Sequence, residues 1–193
     1  MITEFICSKC DICAINNHRP VIGDGNLNAN MMFITRNPSA LEFKRNIPMI
    51  SKDGLLFQRY LDLFNFSRDL VFITNSIKCK TPGHRYPSDT ELYNCREYLD
   101  NEIRHVNPKI IVLLGDTALR SYFKLAFTDK NVHAENLNGK YMVHNNRVIL
   151  FMINPMQAVN SSAKRVDLYN AFLSLLSLYR VVNPAHTINF NLY

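Results

Sequence analysis

Four short apolar runs constrain this chain more than any other feature. They are Met31-Met32-Phe33-Ile34-Thr35, Leu70-Val71-Phe72-Ile73-Thr74, Ile110-Ile111-Val112-Leu113-Leu114 and Val148-Ile149-Leu150-Phe151-Met152. Each is too short for an ordinary helix and too evenly apolar for a strand with one wet face. Strands buried on both faces belong to parallel sheets covered by helices on both sides. The intervening segments have helical period. Leu55, Leu56, Tyr60, Leu61 and Phe64 share one face of a helix over 53–64. Ser88 and Glu91 make a capping-box pattern ahead of Leu92, Cys95, Leu99, Ile103 and Val106. Gly115-Asp116 leads a helix through Leu119, Phe123 and Leu125, and a long helix spans about 162–182. Strands alternating with helices predict an α/β fold, a single-domain three-layer α/β/α sandwich with a mostly parallel four-stranded central sheet. The 193 residues suit one domain, here 1–182, with 1–29 as a cysteine-bearing N-terminal loop and 183–193 as a tail. The polar stretch 128–147 reads as a hairpin.

In open sheets of this kind the ligand lies beyond the carboxyl ends of the strands. Those ends carry Asn37-Pro38, Thr74-Asn75, Gly115-Asp116 and Asn154-Pro155. Such pairs either turn the chain or place polar groups for chemistry.

The composition, 47% hydrophobic and 20% charged, excludes a disordered chain. No apolar run reaches membrane-spanning length. The start, MITEFICSKC, lacks the basic and apolar regions of a signal peptide. A net charge of +6 favours an anionic partner. Five cysteines in a chain that reads as intracellular point to metal ligation, catalysis or burial rather than disulfides. Cys7-x2-Cys10 has chelating spacing, and Cys79 and Cys95 follow. Four thiolates suit a [4Fe–4S] cluster or a structural zinc, and unrelated buried thiols fit the spacing as well. Cys13 reads as a small buried hydrophobe.

Together these motifs resemble the uracil-DNA glycosylase superfamily, most closely its iron–sulfur (family 4) branch. The most specific segment is VFITNSIKCKTPGHRYPSDTELYNC, residues 71–95. CSKC, GDGN, the MMFIT strand and NPKIIVLLGDTAL also fit. The resemblance implies a [4Fe–4S] cluster on Cys7, Cys10, Cys79 and Cys95, with zinc as the alternative. Such a cluster pins loops near DNA. Lys78, Lys80, His84 and Arg85 would then face phosphates, and Lys164 would touch the backbone from the last motif. Asn75 sits at the position of the family's base-reading Asn.

Three departures matter. Arg36 stands where the family 4 motif has its water-activating Glu. Asn37 and Asn154 instead resemble the Asn-Pro motifs of the mismatch-specific branch, which implies that Asn37 positions water and Asn154 assists base departure. Met49 replaces the aromatic that stacks on the base. Glu42 reads as a solvated loop carboxylate, and His133, without partners at metal-ligand spacing, as a surface residue. The implied activity is a monofunctional DNA glycosylase acting on uracil or a modified or mismatched pyrimidine through base flipping. The alternative is a catalytically silent DNA- or base-binding protein on the same fold. The implied partner is DNA rather than a membrane, with a monomer favoured and a cytoplasmic or nucleoid location.

Overall fold

The computed structural model describes residues 6–124 and 132–184. In chain order the elements are α1 (Asp11–Ile15), β1 (Asp24–Gly25), β2 (Met31–Thr35), α2 (Ala40–Arg45), α3 (Lys52–Leu63) and β3 (Val71–Asn75). They continue with α4 (Asp89–Val106), β4 (Ile110–Leu114), α5 (Asp116–Tyr122), β5 (Tyr141–His144), β6 (Arg147–Met152), α6 (Pro155–Val159) and α7 (Ser162–Val182).

The sheet runs in the order β1-β3-β2-β4-β6-β5. Its four inner strands are parallel, and β1 and β5 add antiparallel edges. The sheet is therefore mixed and six-stranded, wider than the four strands expected. Each edge strand escaped the sequence for a physical reason. β1 has only two residues and lies in a segment read as loop. β5 is exposed along nearly all its length, so it lacks the apolar signature of a buried strand. The hairpin it forms occupies 141–152. Asn145 and Asn146 both take left-handed backbone angles at its turn, φ 49° and 59°, as a two-residue hairpin loop of this hand requires.

Side chains alternate across β2. Met31 and Phe33 join a core with Phe57 and Leu61 of α3 and Phe172 and Leu175 of α7. Met32 and Ile34 join a second core with Leu99 of α4 and Leu119 of α5. Helices thus cover both faces of the sheet. Phe172 stacks on Tyr60 and Phe64, with ring centres 5.4 and 5.5 Å away. Burying each such aromatic contributes about 2 kcal/mol.

The box of Ser88 and Glu91 caps α4 as the sequence predicts, and left-handed Asn107 ends the helix. A second box, Ser39 with Glu42, starts α2, which is too short to show a period. α1 likewise falls inside the expected N-terminal loop. Leu125, residues 128–131 and the tail from 185 on lie outside the described residues. No helix among the described residues is long and apolar enough to cross a membrane. Because the inner strands are parallel, their carboxyl ends share one edge of the sheet, which brings Arg36, Asn37, Asn75, Gly115 and Asn154 to one side.

Candidate active site

Asn75 closes β3, in register with Thr35 at the end of β2. Its side chain is 1% exposed, and neither the amide oxygen nor the amide nitrogen has a hydrogen-bond partner. Leaving a buried polar group unpaired costs about 1–3 kcal/mol, so such groups are uncommon in native folds. The backbone beneath it is tied firmly. Lys78 Nζ donates to the Asn75 carbonyl oxygen at 2.7 Å and to Thr74 Oγ1 at 2.6 Å. It also pairs with Glu102 at 2.5 Å. The other Glu102 oxygen accepts from the Gly23 N–H at 2.8 Å.

At the strand ends lies a cleft of about 180 Å³, lined by Thr35, the register partner of Asn75, but not by Asn75 itself. Asn37 lines it. Its amide nitrogen donates to the Pro38 carbonyl at 3.1 Å and the Thr81 hydroxyl at 3.4 Å, and its amide oxygen is buried without a partner. Thr81 is itself tied to the Arg85 carbonyl at 2.7 Å, so the loop after β3 helps to hold Asn37. Asn154 lines the cleft from the other side as the N-cap of α6. Its side-chain oxygen accepts from the Met156 N–H at 2.9 Å, which leaves its NH₂ with no partner among the described residues. Gly115 has φ +84°, and a Cβ there would meet Asn154 Cβ at 3.1 Å, so a side chain would crowd this wall. The Arg36 guanidinium lies over the Tyr86 ring, 4.6 Å from its centre.

Two further groups line the cleft, of which Asp53 was not anticipated. Asp53, in the first turn of α3, has a buried Oδ1 with no partner. Burial, and then the charge of Glu42, push its carboxyl above the ordinary aspartate range. His133 Nδ1 lies 3.0 Å from Asp116 Oδ2, while Asp116 Oδ1 accepts from the Ala134 N–H at 2.6 Å. His133 is exposed, as expected of a surface residue.

The cysteines meet behind the loop after β3. Cys7, Cys79 and Cys95 are buried, and Cys10 is packed beside them with Cys13, Ile12, Ile77 and Leu92. The Lys78 N–H points at Cys95 Sγ from 3.3 Å. Burial raises the Cys95 thiol to about 11. The Cys13 thiol donates to the Cys7 carbonyl at 3.0 Å, in keeping with a buried apolar residue that has a weak donor. Among the described residues no three His, Cys, Asp or Glu side chains form a group that could hold a metal ion. The donor set nonetheless suits an iron–sulfur cluster in kind: soft sulfur donors in an apolar surround, with a backbone N–H directed at one sulfur.

The model of the uracil DNA glycosylase superfamily matches residues 22–177. The chain belongs to that superfamily. It is 35% identical over 60% of its length to a type-4 uracil-DNA glycosylase of Thermotoga maritima. It is 36% identical over 61% of its length to one of Sulfurisphaera tokodaii. The matched part makes up 60% and 53% of those two relatives, so the likeness covers little more than half of each. A DNA polymerase of Bacillus phage SP01 is 27% identical over 90% of this chain, matching 18% of that protein.

Several residues of this superfamily member differ from the sequence expectations. Lys78 is 1% exposed and held by Glu102, Thr74 and Asn75, so it cannot face a phosphate. Glu42 is buried rather than solvated. Its two oxygens accept from the backbone N–H groups of Ser39 at 2.7 Å, Ile50 at 3.0 Å and Ser51 at 3.4 Å, which fixes the segment before α3. Met49 is buried in the core beneath that segment, with φ +56°, and is not among the residues that line the cleft. A Cβ on Gly54 would fall 2.3 Å from the Met49 carbonyl carbon, so α3 packs directly on the backbone there. Arg85 grips Glu91 through two hydrogen bonds, at 2.8 and 2.5 Å. Lys164 pairs with Glu135 and with Asp167. His84 is exposed and Lys80 half-buried on the same loop.

Proposed function

We propose that this chain is a monofunctional DNA glycosylase that hydrolyses the N-glycosidic bond of uracil or of a modified or mismatched pyrimidine. One observation carries the reading: the Asn75 side chain is buried at the strand ends with both amide atoms unpaired. An amide offers one acceptor and two donors, which matches the adjacent N–H and C=O of a pyrimidine edge. The desolvation cost that the fold bears there is recovered when a flipped base enters. The names of the type-4 relatives support the same reading.

The other residues then take distinct roles. Asn37 offers an amide oxygen to the attacking water. Asn154, its own oxygen used by the cap, offers hydrogens to the base oxygen on which negative charge develops. Arg36 is the one Arg or Lys among the described residues lining the cleft and is steadied by Tyr86. Met49 acts from below, as packing under the base site. Lys80, His84 and Arg85 on the loop after β3, and Lys164 at the start of α7, form the DNA-facing side. Arg85 and Lys164 would exchange acidic partners for phosphates.

Cys7, Cys10, Cys79 and Cys95 would hold a [4Fe–4S] cluster, which supplies a rigid covalent tie between the N-terminal segment, the loop after β3 and α4. The chain's own part is to bury those sulfurs and to aim the Lys78 N–H at one of them. The loop so held carries Thr81, and Thr81 holds Asn37.

The test is a panel of oligonucleotides bearing uracil, hydroxymethyluracil or mismatched pyrimidines, single- and double-stranded, treated with protein and then with alkali. Strand cleavage at the target base is the expected result. Salt-sensitive DNA binding with no cleavage on any member would overturn the enzymatic reading and favour a silent DNA-binding protein.

A further inference from the structure

Three carboxylates line the cleft: Asp53, Asp116 and Glu135. Asp116 is occupied by His133 and the Ala134 N–H. Glu135 is exposed and pairs with Lys164. Asp53 alone of the three has a buried oxygen without a partner. The Asn37 amide oxygen, on the same cleft, is buried and unpaired as well. Two acceptors from two different segments, the loop two residues beyond β2 and the first turn of α3, suit one water molecule, which has two hydrogens to donate.

We infer that Asp53 is the general base of this site, taking a proton from a water held between it and Asn37. The inference rests on the glycosylase reading above and adds to it a residue that no motif of the sequence marks. The water oxygen bonds to the anomeric carbon as the carbon–nitrogen bond breaks. The electron pair of that bond leaves on the base. The water proton passes to Asp53, and then to the departed base or to solvent, which restores the carboxylate.

The surroundings fit the task. Burial and Glu42 favour the neutral form of Asp53, while Arg36 and the N–H groups of Asp53 and Gly54 favour the charged one. The balance lies above an ordinary aspartate, closer to the working pH, where a general base is most effective. Across the cleft, the Asp116–His133 pair and Glu135 also carry ionisable groups toward the same space. An acid in the first turn of α3 also stabilises that helix through its dipole, but that role predicts a loss of stability only.

Single-turnover base release from a uracil-bearing single strand, followed across the acid range, separates these roles. Asp53→Asn should slow release by about 10²-fold or more, as removal of a general base does. DNA affinity should be unchanged, and the acid limb of the wild-type profile should disappear. Asp53→Glu retains a carboxylate and should retain the limb with part of the rate, and it carries the test should Asp53→Asn not fold. A wild-type rate and limb in Asp53→Asn would overturn the inference alone. So would an unaltered limb in an Asp53→Asn protein that is merely slower. Wild-type protein that releases no base from any substrate would overturn the glycosylase reading, and this inference with it.

Discussion

The ammonium of Lys78 donates to the main-chain oxygen of Asn75, 2.7 Å away and three residues back along the chain. This bond decides what kind of lysine Lys78 is. A phosphate-binding lysine would lower the salt dependence of DNA binding when removed. Lys78→Met should instead leave the salt slope intact, lower base release, and destabilise the fold by about 3 kcal/mol, because the Glu102 carboxylate loses its cationic partner. Salt titrations of DNA binding together with thermal melting check this. A reduced slope with an unchanged melting temperature would contradict it.

Asn75 predicts an unusual separation of stability from activity. Most buried Asn→Ala changes break hydrogen bonds, but this side chain has none to break. Asn75→Ala should therefore melt within a few degrees of the wild type, the small cavity being offset by the removed polar group. Base release should fall by about 10²-fold or more, in the range typical of lost transition-state contacts. Melting and single-turnover rates measured on the same preparation test both halves.

The cysteine corner makes a compositional prediction. Protein prepared without oxygen should contain iron and acid-labile sulfide. Cys79→Ser should lose both, together with the packing of the loop that carries Thr81. Cys13→Ala should keep both and cost about 1 kcal/mol, the loss of a small buried group. Zinc in place of iron, or iron kept by Cys79→Ser, would count against the proposed ligand set.

Asp53 also links stability to pH. Its folded carboxyl lies above the ordinary value of 3.8, chiefly through burial. The folded state thus holds this proton more tightly than the unfolded chain does. The charged carboxylate is a burden at neutral pH, one that is relieved as pH falls through the folded value. Asp53→Asn should melt above the wild type at neutral pH, and the two should converge in acid. Melting curves at several pH values would show this, and a variant less stable than wild type at neutral pH would refute it.

The four parallel inner strands and the position of Asn75 could be read from the sequence because each rests on a local pattern, whereas the short β1 and the exposed β5 carry none. An apolar run marks β3, and Asn75 is the first polar amide after it. Lys78 could not be read this way. A lysine in a basic loop looks solvated, and nothing local shows that it turns inward to meet Glu102, 24 residues ahead. Glu42 was hidden for a similar reason, since its partners Ile50 and Ser51 lie across a turn. Asp53 was masked by a sufficient local explanation, because an acid at the start of an amphipathic helix attracts no attention. Asn37 and Asn154 were legible as residues, but which end of each amide faces the cleft follows only from the bonds to Thr81 and Met156.

The cap at Asn154 makes that position asymmetric toward mutation. An aspartate there would start α6 equally well, since capping uses only the side-chain oxygen. The same change would replace the NH₂ that faces the cleft with a second, negatively charged oxygen, and would repel the anion that a departing base becomes. That one substitution is thus invisible to a screen for folded protein, while a screen for base release would detect it at once.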